Sequence, residues 1–120
     1  MDLSIINKLI ETYKLWQQYL PHFPKTSRYT LGAKIDRFFL KILDNINLGR
    51  YLSKENKLKF IQKASANLDS LKFFLRIAWE IQALNTKQYA ALSEKLNEIG
   101  RMMGGWIKKL EEKLPPKAGE

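Results

Sequence analysis

The chain has 120 residues, the length of one domain, and hydrophobic residues make up 45% of it. That content excludes a disordered chain, and the absence of cysteine excludes a disulfide framework, a zinc–thiolate cluster and a thiol nucleophile. Lysine and arginine number 21 against 12 aspartates and glutamates, a formal charge of +9 that favours polyanions, nucleic acid first and an anionic membrane surface second.

The N-terminal Met1-Asp2-Leu3-Ser4 places no basic segment before an apolar run, so no signal peptide is expected and the expected location is cytoplasmic. A first helix is predicted from about Leu3 to Leu20. Its apolar residues Ile6, Leu9, Tyr13, Trp16 and Leu20 recur at steps of three and four. Pro21-His22-Phe23-Pro24 stops it, because proline lacks an N–H and restricts the residue before it.

A second helix is predicted from Ser27, as N-cap, to about Leu48, with the stripe Leu31, Ile35, Phe38, Ile42 and Ile46 and with Gly49 as its stop. Ser53 is a further N-cap candidate for the longest helix, about Lys54 to Leu84. There Ile61, Ala64, Leu68, Leu71, Leu75 and Ala78 keep heptad spacing. A second row, Phe60, Phe74, Ile77, Ile81 and Leu84, makes its apolar stripe wider than one bundle core needs. The most apolar stretch, Phe73 to Trp79, is broken by Arg76 and too short to span a bilayer.

Asn85 with Gln88 has the form of a capping box opening the fourth helix. Tyr89, Leu92, Leu96, Ile99, Met103, Trp106 and Leu110 continue at heptad spacing until Pro115-Pro116. No alternating strand pattern competes. Connections this short require antiparallel neighbours. The expected fold is therefore all-α: one antiparallel up-down-up-down four-helix bundle over residues 1–114, with a short tail over 115–120.

The charge is concentrated. Between Lys25 and Lys63 stand ten basic residues, opposed by Asp36, Asp44 and Glu55 alone, so this third of the chain carries most of the net charge. Lys34, Arg37 and Lys41 share one face of the second helix, opposite its core. Such a row can follow a phosphate backbone with salt-sensitive contacts. It can equally be a solvated helix face.

Catalytic and metal constellations fail. The one histidine, His22, stands in a proline-bounded loop, whereas di-iron bundles need Glu-x-x-His pairs on facing helices. Glu94 and Glu98 are four apart but have Lys95 and Arg101 in reach, so they read as surface charge pairing. No Gly-rich phosphate cradle occurs, and no base accompanies the hydroxyls. No catalytic residue, metal or cofactor is expected. Gly100, Gly104 and Gly105 permit close helix approach, and with the wide stripe of the third helix they hint at subunit contacts.

Three segments resemble a known family. Phe23-Pro24-Lys25 followed by Arg28-Tyr29-Thr30-Leu31-Gly32 and Ile35, the run Leu68 to Arg76, and the run Tyr89 to Trp106 are similar to the accessory variability determinant (Avd) proteins of diversity-generating retroelements. The similarity runs from about Tyr13 to Lys109. More distant cousins are the four-helix proteins encoded in ribosomal-RNA intervening sequences.

The resemblance implies a non-enzymatic homopentamer of four-helix protomers. It implies binding of template RNA or other nucleic acid through basic surface, and association with the element's reverse transcriptase during mutagenic retrohoming. Under it Lys25, Arg28, Lys34, Arg37, Lys41 and Arg76 are the candidate contacts. Lys25, Arg28 and Arg76 lie inside the matching segments, and the other three rest on the shared helix face. Arg28 and Arg76 also admit a structural reading as ion pairs at bundle ends or subunit seams. The competing functions are an intervening-sequence-type interaction bundle without a polymerase partner, and a membrane-surface protein. Trp106-Ile107-Lys108-Lys109-Leu110 hints at the second, but Glu111, Glu112 and the continuing heptad favour core packing over it.

Overall fold

Apolar residues at helical spacing wind the chain into four long helices in a computed structural model that describes residues 3–115. These are α1, Leu3–Tyr19; α2, Ala33–Gly49; α3, Lys54–Glu80; and α4, Thr86–Lys113. α1 packs on α2 and α4, and α3 packs on the same two, which is the square of an antiparallel up-down-up-down bundle. No strand occurs among the described residues. The expected tail beyond residue 115 lies outside them.

The core is one continuous cluster. Ile61, Ala64, Leu68, Leu71, Leu75 and Ala78 of α3 are all buried, as their heptad predicts. So are Leu92, Leu96, Ile99, Met103 and Leu110 of α4. One end is aromatic: the Trp16 indole lies edge-on to Phe23 at 5.4 Å and stacks on Phe39 at 6.0 Å.

Two stripes are displaced by a residue. In α1 the buried line is Ile5, Leu9, Thr12 and Trp16, while Ile6 and Tyr13 sit on its flank. Thr12 is tolerated in the core because its hydroxyl donates to the Lys8 carbonyl oxygen at 2.7 Å. In α2 the core residue is Phe39, and Phe38 is half-buried on the side of α3. Two adjacent phenylalanines gave the sequence no way to choose between them.

The entry to α2 is also built differently. Ser27 makes no side-chain cap. The Pro24 carbonyl accepts the N–H groups of Ser27 (3.0 Å) and Arg28 (2.9 Å), so the turn begins at Lys25. Arg28–Gly32 then forms one wide π-helical turn before α2.

α3 stops at Glu80, short of Leu84. Ala83 N–H bonds the Ala78 carbonyl (2.8 Å) and Gln82 N–H bonds that of Trp79 (3.0 Å), the Schellman arrangement. Gln82 occupies its left-handed position, at φ 65°. The capping box of α4 is complete: Gln88 N–H donates to Asn85 Oδ1 (2.8 Å), and Asn85 N–H to Gln88 Oε1 (3.0 Å).

Much of the second apolar row of α3 is used inside the protomer. Phe74 is half-buried and stacks on Phe38 of α2 at 5.6 Å, Leu84 is buried, and only Ile81 of the row is strongly exposed. Most of the extra width therefore needs no second copy to explain it.

Candidate nucleic-acid interface

Phe23, Arg28 and Gly32, which carry much of the family resemblance, organise the corner between α1 and α2. Phe23 is buried against Trp16. Arg28 Nη2 donates to the carbonyl oxygens of Pro21 (2.8 Å) and Phe23 (2.9 Å), drawing the loop onto the turn that follows. A Cβ on Gly32 would lie 2.7 Å from Leu20 Cδ1, so the backbone there packs where a larger residue would push Leu20 aside. Arg28 is thus committed to backbone carbonyls, and no carboxylate pairs with it among the described residues. Lys25 is exposed at the same corner.

Lys34, Arg37 and Lys41 are exposed and line one shallow pocket with Phe38, on the flank of α2 that faces α3. None of the three pairs with a carboxylate; the ion pairs among the described residues are Lys8–Glu98, Arg76–Glu80 and Lys95–Glu11. Instead Lys34 Nζ lies 4.8 Å from the Phe74 ring centre and Lys41 Nζ 5.8 Å from that of Phe38. A ring face holds an ammonium in place without cancelling its charge.

Asp36, the acidic residue within this row, points the other way. Its Oδ1 accepts from Trp16 Nε1 (3.1 Å) and Gln17 Nε2 (2.9 Å), both on α1. That leaves Asp44, one turn after Lys41 and paired with none of the three, as the carboxylate nearest this cationic row along α2. On α3, Arg76 is exposed and pairs only loosely with Glu80, at 3.5 Å. Lys63 Nζ lies 4.9 Å from the Phe60 ring, extending the pattern of cations over rings. Composition pointed to these lysines; the aromatic residues beneath them went unread because they looked like surplus core.

Glu98 and Lys95 pair across the bundle rather than along α4. Glu98 bonds Lys8 and Lys95 bonds Glu11, each at 2.8 Å. The lysine hydrogen bonds, and then the lysine charges, hold both carboxyls below their ordinary value. His22 is exposed in a short 3-10 turn. Among the described residues no cluster of three or more His, Asp and Glu stands ready for a metal, and no helix is long and apolar enough to cross a membrane.

The fold and this flank define a small basic four-helix bundle with an exposed cationic ridge. The bAvd-like family model matches residues 4–110, and the chain belongs to that family. No curated protein matches it significantly. Among solved structures it is similar to a protein of unknown function from the S23 ribosomal protein family of Bacteroides thetaiotaomicron. The identity is 16%, the TM-score is 0.78, and the match covers 87% of this chain and 98% of that one. That likeness is one of fold.

Proposed function

We propose that this protein is a non-catalytic, cytoplasmic accessory factor of a diversity-generating retroelement, binding template RNA or its cDNA copy and the element's reverse transcriptase as a homopentamer. One observation carries the reading. In a chain of the bAvd-like family, Lys34, Arg37 and Lys41 form an exposed ridge free of carboxylate partners, while Asp36 is turned to the opposite flank. Lys25, at the α1–α2 corner, and Arg76, on α3, are exposed and add to the cationic surface in this reading. Arg28 supports it through the loop carbonyls and adds its charge.

The test is RNA binding across a salt series, on wild type and on the Lys34→Ala/Arg37→Ala/Lys41→Ala triple variant. Each phosphate contact steepens the logarithmic salt dependence by somewhat less than one unit. Loss of three contacts therefore flattens the slope by about 2–3. An unchanged slope makes the ridge ordinary solvated surface. Co-purification with a reverse transcriptase encoded beside the gene, and solution mass, check the two protein contacts.

A further inference from the structure

We propose that the α2–α3 flank takes single-stranded nucleic acid, with Phe73 as the platform on which one base stacks. The inference rests on the nucleic-acid reading above and adds to it the strandedness of the ligand and the residue that selects it.

Phe73 is 57% exposed, although it sits well inside α3. Its neighbours fix its orientation. The ring stands edge-on to Phe74, at 5.2 Å and 76°, and Phe74 in turn lies flat on Phe38. The contact with Phe74 anchors the ring on one side, and more than half of its surface is open to solvent.

Cations flank this ring. Lys34 sits over Phe74, the ring that Phe73 abuts, and Lys41 sits over Phe38, one ring further on. Arg76 stands one helical turn after Phe73 on the same outer surface. Two carboxylates are nearby: Asp69, one turn before Phe73, is exposed, and Glu80 holds Arg76 loosely. Basic residues still outnumber the acidic ones, since Arg37 and Lys63 line the same α2–α3 side and only Asp44, one turn after Lys41, is added against them.

An exposed aromatic face between backbone-neutralising cations is the arrangement that binds single strands, because every unpaired base offers a π-face and a phosphate. A duplex hides its bases and would meet only the cations. The competing occupant is a second copy of this chain, which would bury Phe73 as simple apolar surface.

The experiment is fluorescence anisotropy with a labelled oligouridine, an abasic oligomer of the same length, and an RNA duplex. It compares wild type with Phe73→Ala, Phe73→Leu and Phe73→Trp, each checked for helicity and solution mass. The expected result is that Phe73→Ala and Phe73→Leu weaken oligouridine binding by about 5-fold to 100-fold, the range for one stacked base. Phe73→Trp retains it, and binding of the abasic strand and the duplex, with their salt slopes, does not move. Equal loss on all three ligands, no loss on oligouridine, or a fall in solution mass in Phe73→Ala overturns the assignment. If the ridge triple variant loses salt-sensitive binding while Phe73→Ala changes nothing, the nucleic-acid reading survives and this inference alone fails.

Discussion

Trp16 Nε1 donates to Asp36 Oδ1 at 3.1 Å, joining the most buried aromatic of α1 to the acidic residue within the basic row of α2. The bond serves folding and charge placement together. It satisfies an indole N–H whose ring is fully buried, and it holds a negative charge on the flank opposite Lys34 and Lys41.

Asp36→Ala should destabilise the bundle by about 1–3 kcal/mol, the cost of leaving a buried donor unpaired. Trp16→Phe removes the donor and leaves Asp36 Oδ1 with its bond from Gln17, so it should cost less through the bond itself, though it also opens a void. Urea midpoints of the two variants and their double check this. Strict additivity of the two losses would mean the bond couples nothing. RNA affinity of Asp36→Ala should hold or rise slightly, since a carboxylate leaves the neighbourhood of the ridge.

Acid sensitivity should come in part from the α1–α4 seam. Lys8 faces Glu98 and Glu11 faces Lys95, so advancing three residues along α1 retreats three along α4, as antiparallel packing requires. Both carboxyls are held below their ordinary 4.5, chiefly by the lysine hydrogen bonds. A depressed carboxyl contributes stability that is present above about 4.5 and is lost as pH falls through the lower folded value. The Lys95 ammonium is raised above its ordinary 10.5, chiefly by the Glu11 bond, so its share is present below 10.5 and goes only at higher pH. These are exposed pairs, and salt should weaken them. Wild type and Glu11→Gln/Glu98→Gln should therefore differ in urea midpoint at neutral pH and low salt, and converge in acid. A gap that persists in acid would assign the loss to packing.

The helices and their order were legible in the sequence because their apolar periods are long and their stops are chemical. The α3 heptad and the Asn85–Gln88 box needed no tertiary information. The start of α2 was not legible: Ser27 has the right oxygen, but Pro24, Arg28 and the π-helical turn fix the entry through backbone bonds that no side-chain pattern announces. Nor could the sequence choose Phe39 over Phe38, or see that Asp36 would face α1. The basic row was legible as composition. Its freedom from carboxylates is a property of the packing.

The glycines separate two reasons for keeping a side chain out. Gly49 closes α2 without a left-handed backbone, and a Cβ there would lie 3.1 Å from Phe60 Cβ and 3.5 Å from Ile61 Cδ1. Phe60 Cβ is tied to the α3 backbone and has little room to yield. Gly49→Ala should therefore destabilise by about 1–2 kcal/mol, overpacking exceeding the helix-propensity gain of about 1 kcal/mol. A Cβ on Gly104 or Gly105 meets nothing within 4 Å, so the protomer supplies no steric reason for glycine at either position of α4. Gly104→Ala should raise the thermal midpoint of the isolated protomer, by the equivalent of about 0.5–1 kcal/mol. If instead these glycines admit a neighbouring copy, the same substitution lowers the solution mass while the protomer's own stability rises. A Gly104→Ala protein that is less stable as a protomer would contradict both outcomes and mean that α4 bends at this point.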